Sequence, residues 1–339
     1  MCWFPFRSGT SALPKQQTVW MHFDPEVVDK LFALNKHVIM GKLEGDASLP
    51  ERIVVESVIG SVRSKLARGS ASAYTFSDNE QERQQGLVVA EPSSWDSQHF
   101  ETSIDKFTLL LFDPQLPSKQ RALLIQKAIS ARKARVTFAR VNMLDMPTVQ
   151  ALEHVGAILT DVLLTFRFDC GRPMPILGSS TSVEIRPANR NEAEELAKIG
   201  ETIFKIDRFH SDPNIPSTKS DKLYGKWVLN SLAGLADALL VARRDGQIIG
   251  LVTCKVEHIK NDYSFGVIDL VGVRSSHQGH GVASRLVQSS LEWFSGKVHS
   301  VYVGTQAANS KAVRLYERFG FSQVSSEASF HLWSNNYSG

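Results

Sequence analysis

The sequence predicts an α/β protein whose sheet is covered by helices. Three observations predict it. From about residue 86 onward, helical and strand patterns alternate, the order expected of a helix-covered sheet. The apolar run Val267-Ile268-Asp269-Leu270-Val271-Gly272-Val273 leads through a glycine turn, Gln278-Gly279-His280-Gly281-Val282-Ala283, into a helical pattern. Asp245-Gly246, set between two apolar runs, signals a hairpin.

The elements divide into three parts. Residues 1–85 form a weakly patterned leader, with helices expected over Pro25–Ile39 and Val54–Leu66 and a polar loop over Ser70–Gln85. Residues 86–169 form a second part. Strands are expected over Leu87–Ala90, Phe107–Phe112, Arg135–Val141 and Ile158–Phe168. Helices are expected over Ser118–Ala134, with Ser118 as cap, and over Met146–Val155, ending before Gly156. Cys170–Ser182, rich in Gly, Pro and Ser, reads as a linker. Residues 183–335 form the third and best patterned part. Its strands are Val183–Arg186, Leu239–Arg243, Ile248–His258, a central Phe265–Val273, Val298–Thr305 and a closing Phe321–Leu332. Its helices are Asn191–Phe204, Val282–Phe294 with Val282, Leu286, Leu291 and Phe294 on the apolar side, and Ser310–Phe319.

Composition narrows the function classes. The 339 residues allow one large or two medium domains, and 42% hydrophobic with 22% charged residues reads as globular. A net charge of +3 gives no concentrated basic face for nucleic acid. Cys2, Cys170 and Cys254 form no CxxC pair, so neither a disulfide framework nor a metal site is expected, and a cytoplasmic setting fits. No apolar run approaches the roughly 20 residues of a membrane helix, and Met1–Pro14 does not read as a signal peptide.

The glycine turn carries the first chemical signal. It stacks free backbone N–H groups at a helix N-terminus, where the dipole favours anions. Gly281 and Ala283 present no large side chain, so a pyrophosphate fits without a basic cluster. A phosphate-bearing cofactor is therefore expected.

Two motifs together resemble the GNAT superfamily of N-acetyltransferases. One is the turn with Gln278, Gly279, His280, Gly281, Val282 and Ala283; the other is Asn309-x-x-Ala312-x-x-Leu315-Tyr316-x-x-x-Gly320-Phe321. The resemblance implies a GNAT fold with a mixed twisted sheet. It implies acetyl-CoA as co-substrate, with its pyrophosphate on the turn and its pantetheine arm along Asn309, Ala312 and the backbone of Val271 and Val273. It also implies Tyr316 near the thioester sulfur. A phenol there can protonate the departing thiolate. The base stays open between Asp269, which is equally a structural carboxylate, and His210, which is equally a solvated loop residue.

Arg208-Phe209-His210-Ser211-Asp212, followed by Pro216, Tyr224, Trp227 and Asn230-Ser231-Leu232, is similar to the acceptor segment of sugar N-acyltransferases of the dTDP-fucosamine type. Those enzymes carry a smaller, partial GNAT-like domain in front, which residues 86–169 resemble through Trp95–Phe100 and Leu163–Phe166. Glu101 departs from the glycine expected after Phe100. The acceptor implied is a small-molecule primary amine on a nucleotide sugar. Arg208 either grips a nucleotide phosphate or forms a surface ion pair with Asp207, Asp212 or Asp221. Tyr224 and Trp227 are either a platform for sugar or base, or core. His277 and His280 are expected exposed, with no third ligand for a metal. A polyamine, amino acid or protein amine is the alternative acceptor, and a non-catalytic acyl-CoA module is the third class. The front part is expected either to form a homodimer or to shape the acceptor cleft.

Overall fold

The computed structural model describes residues 31, 35, 51–78, 83–174, 183–259 and 263–334. The helix expected over Pro25–Ile39, and the linker from residue 175 to 182, lie outside the described residues.

The front half opens with α1 (Glu51–Ala67), β1 (Ser72–Asp78), β2 (Arg83–Pro92) and α2 (Ser94–Phe100). It continues with β3 (Ile104–Phe112), α3 (Ser118–Arg132), β4 (Val136–Asn142), α4 (Met146–His154) and β5 (Ile158–Asp169). The second half runs β6 (Glu184–Pro187), α5 (Ala193–Ile203), α6 (Ser217–Asn230), β7 (Ala238–Arg244), β8 (Gln247–Ile259), β9 (Tyr263–Ile268) and β10 (Val271–Val273). It ends with α7 (Val282–Phe294), β11 (Ser300–Gln306), α8 (Ser310–Arg318) and β12 (Ser322–Trp333).

All strands join one mixed sheet, ordered β1-β2-β3-β4-β12-β5-β11-β9-β8-β7-β6, with β10 beside β8. The two halves exchange strands at its centre. β5, from the front half, pairs antiparallel with β11, while the closing strand β12 pairs antiparallel with β4. β5 and β12 also pair with each other from Ser322↔Arg167 to His331↔Ile158. Residues 86–169 and 183–335 are therefore joined through backbone hydrogen bonds on both sides of the linker.

The α7 stripe packs as its spacing predicts: Val282, Leu286, Val287, Leu291 and Phe294 are all buried against the sheet. Each such side chain contributes roughly 1.5–3 kcal/mol of burial. Asp245 and Gly246 both take positive φ, 51° and 78°, which gives the β7–β8 hairpin its tight turn.

Four expectations need correction. The loop expected over Ser70–Gln85 contains β1 and the start of β2, paired antiparallel. Tyr74 and Phe76, two residues apart, share one strand face and pack on the core, which outweighs the polar residues between them. That pairing also crosses the boundary expected at residue 85. The cap of α3 is Pro117, and Ser118 is already helical. The single central strand Phe265–Val273 is broken at Asp269-Leu270. Lys255 faces Val267 while Val252 faces Val271, so three steps along β8 match four along its partner, a β-bulge. The Thr253 hydroxyl sustains the bulge by accepting from Leu270 N–H at 2.9 Å. Among the described residues no helix is long and apolar enough to cross a membrane.

Candidate active site

The bulge creates the site. β9 pairs in parallel with β11 from Phe265↔Ser300 to Ile268↔Val303 and no further. Past the bulge, β10 follows β8 and leaves β11. Thr253 N–H bonds Leu270 C=O, Gly272 faces Leu251, and Arg274 N–H bonds Ile249 C=O. Antiparallel bonding alternates along a strand. Val271 and Val273 therefore turn their backbone groups away from β8, toward the gap.

That gap opens into a cleft of about 1420 Å³. Its walls bring together Val271, Val273, Gln278, Gly279, His280, Gly281, Val282, Ala283, Asn309, Ala312 and Tyr316, together with Asp269. Gly279 and Gly281 hold the turn at φ 80° and 75°, a region that side chains other than glycine's rarely enter. Gly281 caps α7, a helix long enough for its dipole to matter. Gln278 braces the turn by donating its side-chain N–H to Val273 C=O at 3.2 Å. Asn309 caps α8: its Oδ1 accepts from Ala312 N–H at 3.3 Å, which leaves its amide nitrogen as the donor toward the cleft.

Tyr316 is 2% exposed and packs between Phe166 of β5 and Phe321. Burial pushes its phenol pKa well up, so the hydroxyl keeps its proton. Asp269 is the one carboxylate among the described lining residues. Lys205, Arg244, Arg285, Lys311, Arg314 and Arg318 line the same cleft. Arg244 Nε and Arg285 Nε are buried with no acceptor among the described residues. Such donors call for an anion. The turn, the six cations and the two unsatisfied guanidinium nitrogens fit a phosphate-rich cofactor.

The acceptor-side candidates separate. Tyr224 lines the cleft, stacked on Phe204 at 4.9 Å, and its hydroxyl bonds Asp207. Burial, more than the neighbouring carboxylates, raises its pKa. Arg208, His210 and Trp227 do not line the cleft. Arg208 lies over the rings of Phe138 and Phe209, at 4.8 and 4.4 Å. His210 is clamped by Asp207 on Nδ1 at 2.5 Å and by Asp221 on Nε2 at 2.8 Å. Burial opposes its charge, but the two carboxylate hydrogen bonds outweigh burial and raise its pKa. With both ring nitrogens occupied it ties the acceptor loop to α6. Trp227 packs in the core with Leu223, Val228 and Phe209, the core alternative for its helical spacing. Sequence reasoning missed the β11 wall (Gly304, Thr305 and Gln306) and Ile203 and Phe204 at the end of α5. The β11 wall lies just before Asn309, which was its available signal.

Residues 206–321 match the acetyltransferase (GNAT) family. The chain carries a GNAT acetyltransferase domain. As such it is an N-acetyltransferase. It is 25% identical over 264 residues to the spore coat polysaccharide biosynthesis protein SpsD of Bacillus subtilis (strain 168), covering 75% of this chain and 86% of that protein. It is 22% identical over 147 residues to the spermidine N(1)-acetyltransferase of Escherichia coli (strain K12), covering 42% of this chain and 75% of that protein. Among solved structures, the GCN5-related glucosamine N-acetyltransferase region of a fungal multi-domain GH3 β-N-acetylglucosaminidase is similar with a TM-score of 0.59. That likeness spans 91% of this chain and 37% of that one at 13% identity, so it is one of fold.

Proposed function

We propose that this acetyltransferase moves an acetyl group from acetyl-CoA to the primary amine of a nucleotide-linked amino sugar, by direct attack in a ternary complex. The observation that carries the reading is one continuous cleft. It joins the glycine turn, the splayed backbone of β10, Asn309 and Tyr316 to the Phe204–Tyr224 ring pair. The name of the Bacillus relative, a polysaccharide biosynthesis protein, supports a sugar acceptor.

Acetyl-CoA supplies an activated thioester. The N–H groups of residues 279–283 and the α7 dipole would hold its pyrophosphate. Arg285 would add charge there, and the Asn309 amide would hold the arm. An N–H of β10 would polarise the thioester carbonyl as charge develops on it. Asp269, in the same cleft, would take the amine's proton, and Tyr316 would donate its proton to the leaving thiolate.

The test is thiol release from acetyl-CoA across UDP-glucosamine, spermidine and peptide amines. Selective turnover of the nucleotide amino sugar is expected. Tyr316→Phe is expected to lower kcat by about 10²–10⁴-fold, the range for a positioned acid, with acetyl-CoA affinity within about twofold. Unchanged kcat in that variant would remove Tyr316 from the mechanism. A polyamine acceptor is the second reading, favoured by the likeness to the spermidine enzyme. It predicts that spermidine outpaces the sugar.

A further inference from the structure

The exchanged strands set a second group of polar side chains behind Gln306, a residue of the cleft wall. β5 belongs to the front half, yet its pairing with β11 sets Leu163 opposite Gln306. Asp161, two residues earlier, shares the strand face of Leu163. Gln306 lines the cleft and donates to Asp161 Oδ2 at 3.4 Å, a long bond. Asp161 Oδ1 is shielded from solvent and has no hydrogen-bond partner among the described residues.

A second unpartnered acceptor stands within electrostatic reach of this carboxylate. His331, on β12, is fully buried. Its Nδ1 hydrogen-bonds Asp212 Oδ2 at 2.6 Å, and Trp333 Nε1 donates to the same oxygen at 2.9 Å. With Nδ1–H donating to Asp212, Nε2 carries a lone pair, and it too has no partner among the described residues. Asp161 also acts electrostatically on Tyr224, the acceptor-side ring of the cleft. Among the described residues, one carboxylate oxygen and one imidazole nitrogen thus lack a hydrogen-bond donor near Gln306 and Tyr224, with Arg208 a cation that also acts on His331 and Tyr224. Unsatisfied buried acceptors are costly, and an N–H donor brought by a ligand would relieve that cost.

We propose that Asp161, backed by His331 Nε2, receives the ammonium of the acceptor and sets the enzyme's preference for a cationic amine. The inference rests on the acetyl-transfer reading above, and it assigns the exchanged strand of the front half a direct part in choosing substrate.

Asp161→Asn keeps the shape and removes the charge. With whichever of UDP-glucosamine, spermidine or a peptide amine the wild-type chain acetylates fastest, KM for the amine is expected to rise tenfold or more. That is the size expected of a lost charge-assisted hydrogen bond. The acetyl-CoA dissociation constant and the melting temperature should stay unchanged, and Asp161→Glu should recover part of the loss. The hydroxyl analogue of the same acceptor (UDP-glucose for UDP-glucosamine) should inhibit wild type and Asp161→Asn equally, because it carries no ammonium. Equal KM for the amine in wild type and Asp161→Asn overturns the inference and leaves acetyl transfer standing. An equal loss toward amine and hydroxyl analogue also overturns it, marking Asp161 as structural. A wild-type chain that binds acetyl-CoA and acetylates none of the three amines overturns the acetyl-transfer reading itself.

Discussion

The two halves repeat one frame and fill it differently. In the front half, β3 and β4 run parallel and pair only from Ile104↔Val136 to Phe107↔Ala139, although both strands continue. In the second half, β9 and β11 part in the same way after Ile268↔Val303. Each first strand leads to a helix, α3 or α7. Each second strand leads to a nine-residue helix, α4 or α8, capped by Asp145 or Asn309. The fourth residue of α3 is Arg121, and the fourth residue of α7 is Arg285. Arg121 is fully engaged. Its Nε donates to Leu116 C=O, one terminal nitrogen donates to Asp145 and Thr148, and the other to the carbonyls of Asp113 and Pro114. Arg285 Nε is buried beside the open cleft without an acceptor among the described residues. A parted parallel pair is thus a structural joint when the protein supplies the acceptors, and a binding site when it leaves them to a ligand.

The sharpest way to break this comparison is to empty the front wedge. Arg121→Met removes five donors and strands the Asp145 carboxylate. Breaking a buried pair from one side costs about 3–5 kcal/mol. Urea unfolding should show that loss, while acetyl-CoA affinity of the folded variant stays at the wild-type value. A stable variant would mean the front wedge needs no plug; a variant that gained cofactor binding would make the two wedges interchangeable.

The exchanged strands can be probed by pH, because they bury an imidazole. Burial pushes His331 down to about 4, against an ordinary value near 6.5. Between those values the unfolded chain binds a proton that the folded chain refuses, so stability should rise with pH across that window, by about 3 kcal/mol. Asp212, whose pKa is lowered in the fold, adds a loss of the same sign at still lower pH. His210 acts oppositely. Its raised pKa makes the folded chain hold a proton that the unfolded chain releases, so its contribution is lost as pH climbs above 6.5 through that raised value. Unfolding free energy should therefore peak near neutrality. A flat profile from pH 4 to 6.5 would mean that His331 is not held neutral at the joint.

A smaller effect sharpens the open wedge. Arg285→Met should weaken acetyl-CoA roughly tenfold, the lower range for a hydrogen bond to a charged group, and lower the salt dependence of binding. It should leave the melting temperature of the free protein unchanged or higher, since an unpaired buried donor is removed. Weaker stability with unchanged affinity would place Arg285 with Arg121 as a structural residue.

What could be read in the sequence follows the range of the interactions. The glycine turn, the Asn309 cap and the α7 stripe depend on neighbours within a few residues, and the sequence displays them. The Arg121–Asp145 bond spans 24 positions and the Asp161–Gln306 contact 145, the strand exchange brings β12 to β4 and β5 from still farther along the chain, and no local pattern marks any of them. β1 was hidden because its buried face rests on two aromatics among polar residues. Arg208, His210 and Trp227 matched the acceptor segment in type, yet packing turned them into a stacked cation, a carboxylate-clamped loop and core. Of that segment, Tyr224 reaches the cleft.

The smallest effect concerns a residue whose identity conflicts with its backbone. Glu101 follows Phe100 where the resemblance calls for glycine, and it takes φ 56°, ψ 39° as the cap of α2. That left-handed conformation costs a side chain strain that glycine avoids. Glu101 offers a pairing with Lys219 at 3.1 Å in return, but its side chain is 79% exposed, where an ion pair contributes little. Lys219 retains a second bond to Phe100 C=O at 3.1 Å. Strain relief should therefore win: Glu101→Gly is expected to stabilise the chain by about 0.5–1 kcal/mol, read as a higher urea midpoint at unchanged slope. Destabilisation would show that the Lys219 pairing holds α2 against α6, and that the front half is fastened to the acceptor side by charge as well as by its exchanged strands.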